Sequence, residues 1–201
     1  MLDAVDGISR YISCSRVTKR LVFEFISSEI RPNDALMVFA FEDDYTFGII
    51  QSGMHWRWFV EKCSTLEGRF RYTADSVWDT FPFPQQQTEK QIEKAAKAAK
   101  KLREARNDAM KNYAMSLRDL YRVLEQGKHP INDLQADLDK AVMDAYGFND
   151  KKDLLEQLLV LNRQVAANEA AGKPVQPSGL PEWVKNKERF VSDDCVKFIE
   201  S

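Results

Sequence analysis

The chain changes its periodicity once, at Phe81-Pro82-Phe83-Pro84, and that change constrains what it can fold into. Before it, aromatic and β-branched residues alternate with polar ones, the period-two signature of strands; after it, Ala, Leu, Lys and Glu recur at three- and four-residue spacing, the signature of helices. Two prolines in four residues continue neither a helix nor a central strand, so this piece is expected to be an extended crossover. The expected fold class is therefore α+β, with a small, partial mixed α/β domain followed by an α-helical bundle. The expected divisions are 1–84, 85–170 and an extended tail over 171–201.

Within the first part, Leu21, Phe23 and Phe25 alternate with Arg20, Val22 and Glu24, and Ala35 to Phe41 is an apolar run after a turn at Arg31-Pro32-Asn33-Asp34; both predict strands. Asp43 or Asp44 can cap a helix running to about Lys62, with Phe47, Ile50, Met54 and Trp58 on one face. Gly68 to Tyr72 predicts another strand, with Phe70 and Tyr72 inward and Glu67, Arg69 and Arg71 outward.

From about Thr88 the seam Ile92, Ala95, Ala99, Leu102, Arg106, Ala109, Tyr113 predicts a helix with a narrow, Ala-rich stripe and a basic surface. Ser116 and Asp119 cap a helix that ends at Gly127; Asn132 to Tyr146 repeats the design, and Asp150 is expected to cap a leucine-rich helix to about Asn168. Trp183, Phe190 and Phe198 are the expected anchors of the tail.

Several chemistries lack their sequence signatures. There is no Gly-rich phosphate loop, nucleophile elbow or HExxH helix. Cys14, Cys63 and Cys195 have spacings that suit neither a disulfide framework nor a zinc site, and His55 and His129 have no partners at metal-ligand spacing. Glu42, Asp43 and Asp44 read better as helix-capping acids than as a metal cluster. Ser52 and His55, with Cys63, could form a nucleophile and base, but no orienting acid lies near them. No run of eighteen apolar residues and no secretion signal is present, so a cytoplasmic protein is the expectation.

The 201 residues carry a net charge of −2, unfavourable for nucleic-acid binding in itself. Its distribution is uneven: 9 basic and 12 acidic side chains over 1–84, 11 and 6 over 85–128, and 9 and 13 beyond. A basic segment thus separates two mildly acidic ones.

Three stretches carry a resemblance: Ile12-Ser13-Cys14-Ser15-Arg16-Val17-Thr18-Lys19-Arg20, then Phe47-Gly48-Ile49-Ile50-Gln51-Ser52-Gly53-Met54-His55-Trp56, and Tyr72 with Trp78-Asp79-Thr80-Phe81-Pro82-Phe83-Pro84. Together they resemble the target-recognition domains of single-chain type IIG and type IIL restriction-modification enzymes, the Mme-type group in particular. The second stretch resembles the GILxS helix of many recognition domains, with Gln51 where the broader class usually has asparagine, and the third resembles their PxP exit. Ser116 to Tyr121 and Leu138 to Gly147 also resemble the family's C-terminal helical region.

The resemblance implies an enzyme that methylates adenine with S-adenosylmethionine and cuts DNA, with Mg2+ in the nuclease. The methyltransferase and nuclease motifs are absent here, so this chain is expected to be a non-catalytic fragment that reads double-stranded DNA for those other domains, with no cofactor of its own and no membrane contact. Arginine suits guanine, and a carboxylate suits cytosine. By resemblance the base readers are Glu67, Arg69 and Arg71, while Arg16, Lys19 and Arg20 are the expected phosphate contacts. The alternative is a helical interaction or dimerisation module without DNA binding; an independent enzyme using Ser52 and His55 is a third.

Overall fold

A computed structural model describes residues 5–66 and 68–198 of the chain. The fold is α+β: two three-stranded antiparallel sheets followed by helices.

Strand β1, Arg10–Ser15, forms the middle of the first sheet, between β3 (Glu24–Ser27) and β4 (Leu36–Phe39). Its first five residues are all buried, so both faces are covered and no polar alternation marks it in the sequence. The register pairs Ile12 with Phe25 on one side and with Phe39 on the other. Leu21, Phe23 and Phe25 are buried as their alternation predicts, although the strand begins only at Glu24.

The chain then turns into a second sheet, in which β6 (Arg69–Arg71) lies between β2 (Val17–Thr18) and β5 (Ser64–Leu66). Two backbone bonds fix the junction at Arg16: its N–H donates to the Ala35 carbonyl at 2.8 Å, and its own carbonyl accepts from the Tyr72 N–H at 2.8 Å.

The single helix expected from Asp43 to Lys62 is two helices, α1 (Asp44–Gln51) and α2 (Gly53–Lys62), because Ser52 is extended. Its hydroxyl donates back to the Ile49 carbonyl at 2.7 Å, while the freed Gly53 N–H donates to Asp139 Oδ1 at 2.8 Å. Asp43 caps α1 through the Thr46 N–H at 2.7 Å.

Helix α3, Glu89–Asn112, starts at a capping box of Thr88 and Gln91 and packs on α1 and α5 (Pro130–Tyr146). Its seam from Ile92 to Ala109 is buried, whereas Tyr113, at the C-cap beyond the last turn, is exposed. The alanines are there for a close approach: a Cβ on Gly48 of α1 would stand 3.2 Å from Ala99 Cβ and 3.3 Å from the Ala95 carbonyl oxygen. Helix α4, Leu117–Gln126, is capped by Ser116; α6, Leu154–Ala170, is capped by Asp153 rather than Asp150, three residues before the Glu156 N–H that its carboxylate accepts at 2.8 Å.

Of the expected tail anchors only Phe190 is buried; Trp183 and Phe198 are exposed. The tail is held instead by Val184, by Gly179 passing against the Phe41 ring, and by polar groups. Arg10 and Arg103, 2% and 1% exposed, converge on Asp44 and Asp194. Asp44 Oδ1 accepts from Arg10 Nη2 at 3.1 Å, Arg103 Nη2 at 2.5 Å and the Ser192 hydroxyl at 2.8 Å. Asp194 Oδ2 accepts from Arg103 Nε at 2.7 Å, and the Arg10 guanidinium lies 3.5 Å over the Phe25 ring.

Removing Asp44 leaves the two buried guanidiniums with the less buried Asp194 as their remaining acid in this cluster. Asp44→Ala is expected to lower the unfolding free energy by about 3–5 kcal/mol in chemical denaturation. Gly48→Val, which overfills the α1 to α3 contact, should lower it by about 1–3 kcal/mol.

Candidate nucleic-acid interface

The second sheet has one apolar and one polar face. Phe70 packs edge-on against Trp56 and Phe59, with ring centroids 5.8 and 5.7 Å apart, and Tyr72 stacks on Phe59 at 5.4 Å. Arg69 and Arg71, the alternate residues, are exposed. The period of two thus turns both guanidinium-bearing residues away from the core.

Strand β6 is held at its end by a buried polar pair. The His55 ring accepts through Nε2 from the Tyr72 hydroxyl at 2.9 Å and donates through Nδ1 to the Ile50 carbonyl at 2.8 Å, the tautomer that satisfies both partners. Burial holds His55 down to about 4 and pushes the Tyr72 hydroxyl far up, so both groups are neutral near pH 7. Because Tyr72 also donates its backbone N–H to Arg16, one residue ties β6, the sheet junction and α2 together.

Arg16 and Arg71 share a cleft of about 460 Å3 with Leu36, Met37 and Val38 of β4 and with Asp75 and Asp79. Arg16 Nε is buried there without a hydrogen-bond partner. Asp75 lies in a π-helical turn, Ala74–Trp78, which the sequence did not signal.

The other expected contacts are more scattered. Lys19 is exposed in the loop after β2. Arg20 is ion-paired with Glu125 of α4 and sits 5.4 Å over the Tyr121 ring, so a phosphate would have to compete with that carboxylate. Glu67 lies outside the described residues.

Ser52 and His55 do not form a nucleophile and base. The Ser52 hydroxyl is committed to Ile49, and both nitrogens of His55 are committed to Ile50 and Tyr72. The three acids at 42–44 have separate structural roles. Glu42 accepts from the Ser9 backbone and hydroxyl at 3.0 and 3.1 Å, Asp43 caps α1, and Asp44 binds the buried arginines. Among the described residues no three His, Cys, Asp or Glu side chains are grouped to hold a metal ion.

Residues 9–85 match the family model of the MmeI target recognition domain. This segment is MmeI-like. The agreement extends beyond it, because the solved structure of the type IIL restriction-modification enzyme MmeI in complex with DNA superposes on 79% of the chain with a TM-score of 0.70 and 25% identity. The chain spans only 22% of that MmeI chain. No curated protein matches it.

Within the matched segment, the Gln51 amide bridges three parts of the fold. Its Oε1 accepts from the Phe23 N–H at 3.0 Å and from Arg106 Nη1 at 3.3 Å, joining α1 to the first sheet and to α3.

The neutral His55 gives a pH dependence with a defined sign. Its folded pKa of about 4 lies below the ordinary 6.5, so the unfolded chain binds more protons between these values and the fold loses stability as pH falls through them. Comparing wild type with His55→Gln isolates this from other groups: the stability advantage of the wild type should shrink by about 3 kcal/mol between pH 7 and pH 4, measured by denaturation at each pH. A constant difference would mean that His55 is not the neutral, buried partner of Tyr72.

Proposed function

We propose that the chain is the DNA sequence-recognition part of a restriction-modification enzyme. The observation that carries this is the match to the MmeI target recognition domain over residues 9–85, in a segment whose β6 strand presents Arg69 and Arg71 outward. In this reading residues 1–84 read DNA, 85–170 form a helical spacer that braces the reader, and 171–201 tie the two together.

Arg71, Arg69 and Glu67 would face base edges in the major groove, where guanidinium forks suit guanine and carboxylates suit cytosine. Arg16, Lys19 and Arg20 would contact phosphates and set the register. The whole enzyme, by the same reading, methylates adenine with S-adenosylmethionine and cuts DNA with Mg2+, in the cytoplasm. In this reading this chain would hold neither group: the sequence has no glycine-rich cofactor loop or Asn-Pro-Pro-Phe-type motif, and among the described residues no cluster of metal-binding side chains is found. Those steps belong to methyltransferase and nuclease domains with which this part would work. No described helix is long and apolar enough to cross a membrane.

The alternative of a dimerising helix loses its main support in the structure. The Ala-rich seam of α3 is filled from within the chain, since Ala95 and Ala99 are fully buried beneath α1 and α5.

Fluorescence anisotropy with labelled duplex DNA tests the proposal. Affinity should fall linearly on a log–log plot against salt, and Lys19→Gln should reduce the slope by about one phosphate contact, roughly equally for every sequence. The double change Glu67→Lys with Arg69→Asp should alter preference at one base pair and leave the salt slope nearly unchanged. Failure to bind duplex DNA at low salt would overturn the proposal; an unaltered preference in the double variant would return those two residues to an ordinary surface pair.

A further inference from the structure

The cleft shared by Arg16 and Arg71 has a second wall that the assignment of readers by resemblance leaves unused. Asp75 and Asp79 line it together with Leu36, Met37 and Val38. Two guanidiniums and two carboxylates in one cleft would ordinarily neutralise one another. Among the described residues, however, no ion pair or hydrogen bond joins either acid to Arg16 or Arg71. Donors and acceptors are therefore both available to a ligand that offers both, and the edge of a base pair does.

Asp75 is the better placed of the two acids to read. Both acids are exposed, but only Asp75 has its carboxylate oriented, its Oδ1 accepting from the Ser76 N–H at 2.9 Å. The turn carrying it is rigid. Val77 is fully buried, its carbonyl accepts from Trp58 Nε1 at 3.2 Å, and the Ser76 carbonyl accepts from the Thr80 hydroxyl at 2.7 Å. A π-helical turn is an uncommon conformation that recurs at functional sites, and here it brings a carboxylate beside the strand that bears Arg71.

We propose that this cleft is a further base-reading subsite, in which Asp75 accepts the exocyclic amine of cytosine in a C·G pair whose guanine faces Arg71. The inference rests on the DNA-recognition reading above. A carboxylate only accepts, and among the major-groove edges cytosine is the one that presents a donor without an adjacent acceptor, so Asp75 discriminates by chemistry rather than by shape.

The test is selection of duplexes from a randomised library by the full chain, followed by binding to the selected duplex and to its single-base-pair variants. Asp75→Asn keeps the side-chain shape but adds a donor, which suits adenine. It should move the preference at one position from cytosine to adenine by about tenfold, with other positions, the salt slope and the melting temperature unchanged. An unchanged preference in Asp75→Asn, or an equal loss at every position, would overturn the subsite while leaving DNA recognition intact. A wild-type chain that enriches no sequence would overturn the recognition reading itself, and the subsite with it.

Discussion

The fold depends on three arginines that have been taken out of water. Arg10 comes from the central strand, Arg103 and Arg106 from α3, and each is at most 2% exposed. Moving a guanidinium into a protein interior is unfavourable by several kcal/mol unless hydrogen bonds and counter-charges replace its water. Here they do for all but Arg103 Nη1 and Arg106 Nε, and the replacements come from three separate parts of the fold: Asp44 from α1, Ser192 and Asp194 from the tail, and Glu24 from β3. The guanidiniums of Arg10 and Arg103 hold the Asp194 carboxyl at about 2 despite its partial burial. Such a cluster is a weaker source of stability than an apolar core of equal volume, but it accepts only one arrangement of its members.

Arg106 shows the same logic on the other side of α1. It donates to the Phe23 carbonyl at 2.9 Å, Glu24 at 2.7 Å, the Tyr121 hydroxyl at 3.2 Å and Gln51 at 3.3 Å. Strand, helix α1 and helix α4 are thereby referred to one side chain on α3. The aromatic face under β6 rests on the same framework through Trp58 and His55, so the outward arginines of β6 are presented by packed core rather than by a free loop. A reader of DNA needs this, because base edges are distinguished by groups that must stay within hydrogen-bonding reach of fixed positions.

The helices after Pro84 were largely legible in the sequence, since their stripes and capping residues are local signals: Ser116 and Gly127 bound α4 where expected. The outward direction of Arg69 and Arg71 was legible for the same reason. What was not legible depends on partners distant in the chain. The break at Ser52 is completed by Asp139, Arg20 is held by Glu125, and the tail is anchored by Arg10 as well as by Phe190. Strand β1 was hidden because full burial on both faces removes the alternation that marks a half-buried strand. One clue was present: Arg106 fell on an otherwise apolar seam, where a charge requires a partner that local sequence does not name.

The tail has one further consequence, for the rim of the first sheet. Near its end Val196 pairs in parallel with Ile26, its N–H donating to the Phe25 carbonyl at 2.8 Å and its carbonyl accepting from the Ser27 N–H at 2.9 Å. Strand β3 would otherwise present those groups as an unpaired edge, the kind of template on which another extended chain can stack. By lying across it, the segment around Val196 gives the sheet a terminated border, and self-association by strand addition is blocked there by backbone pairing.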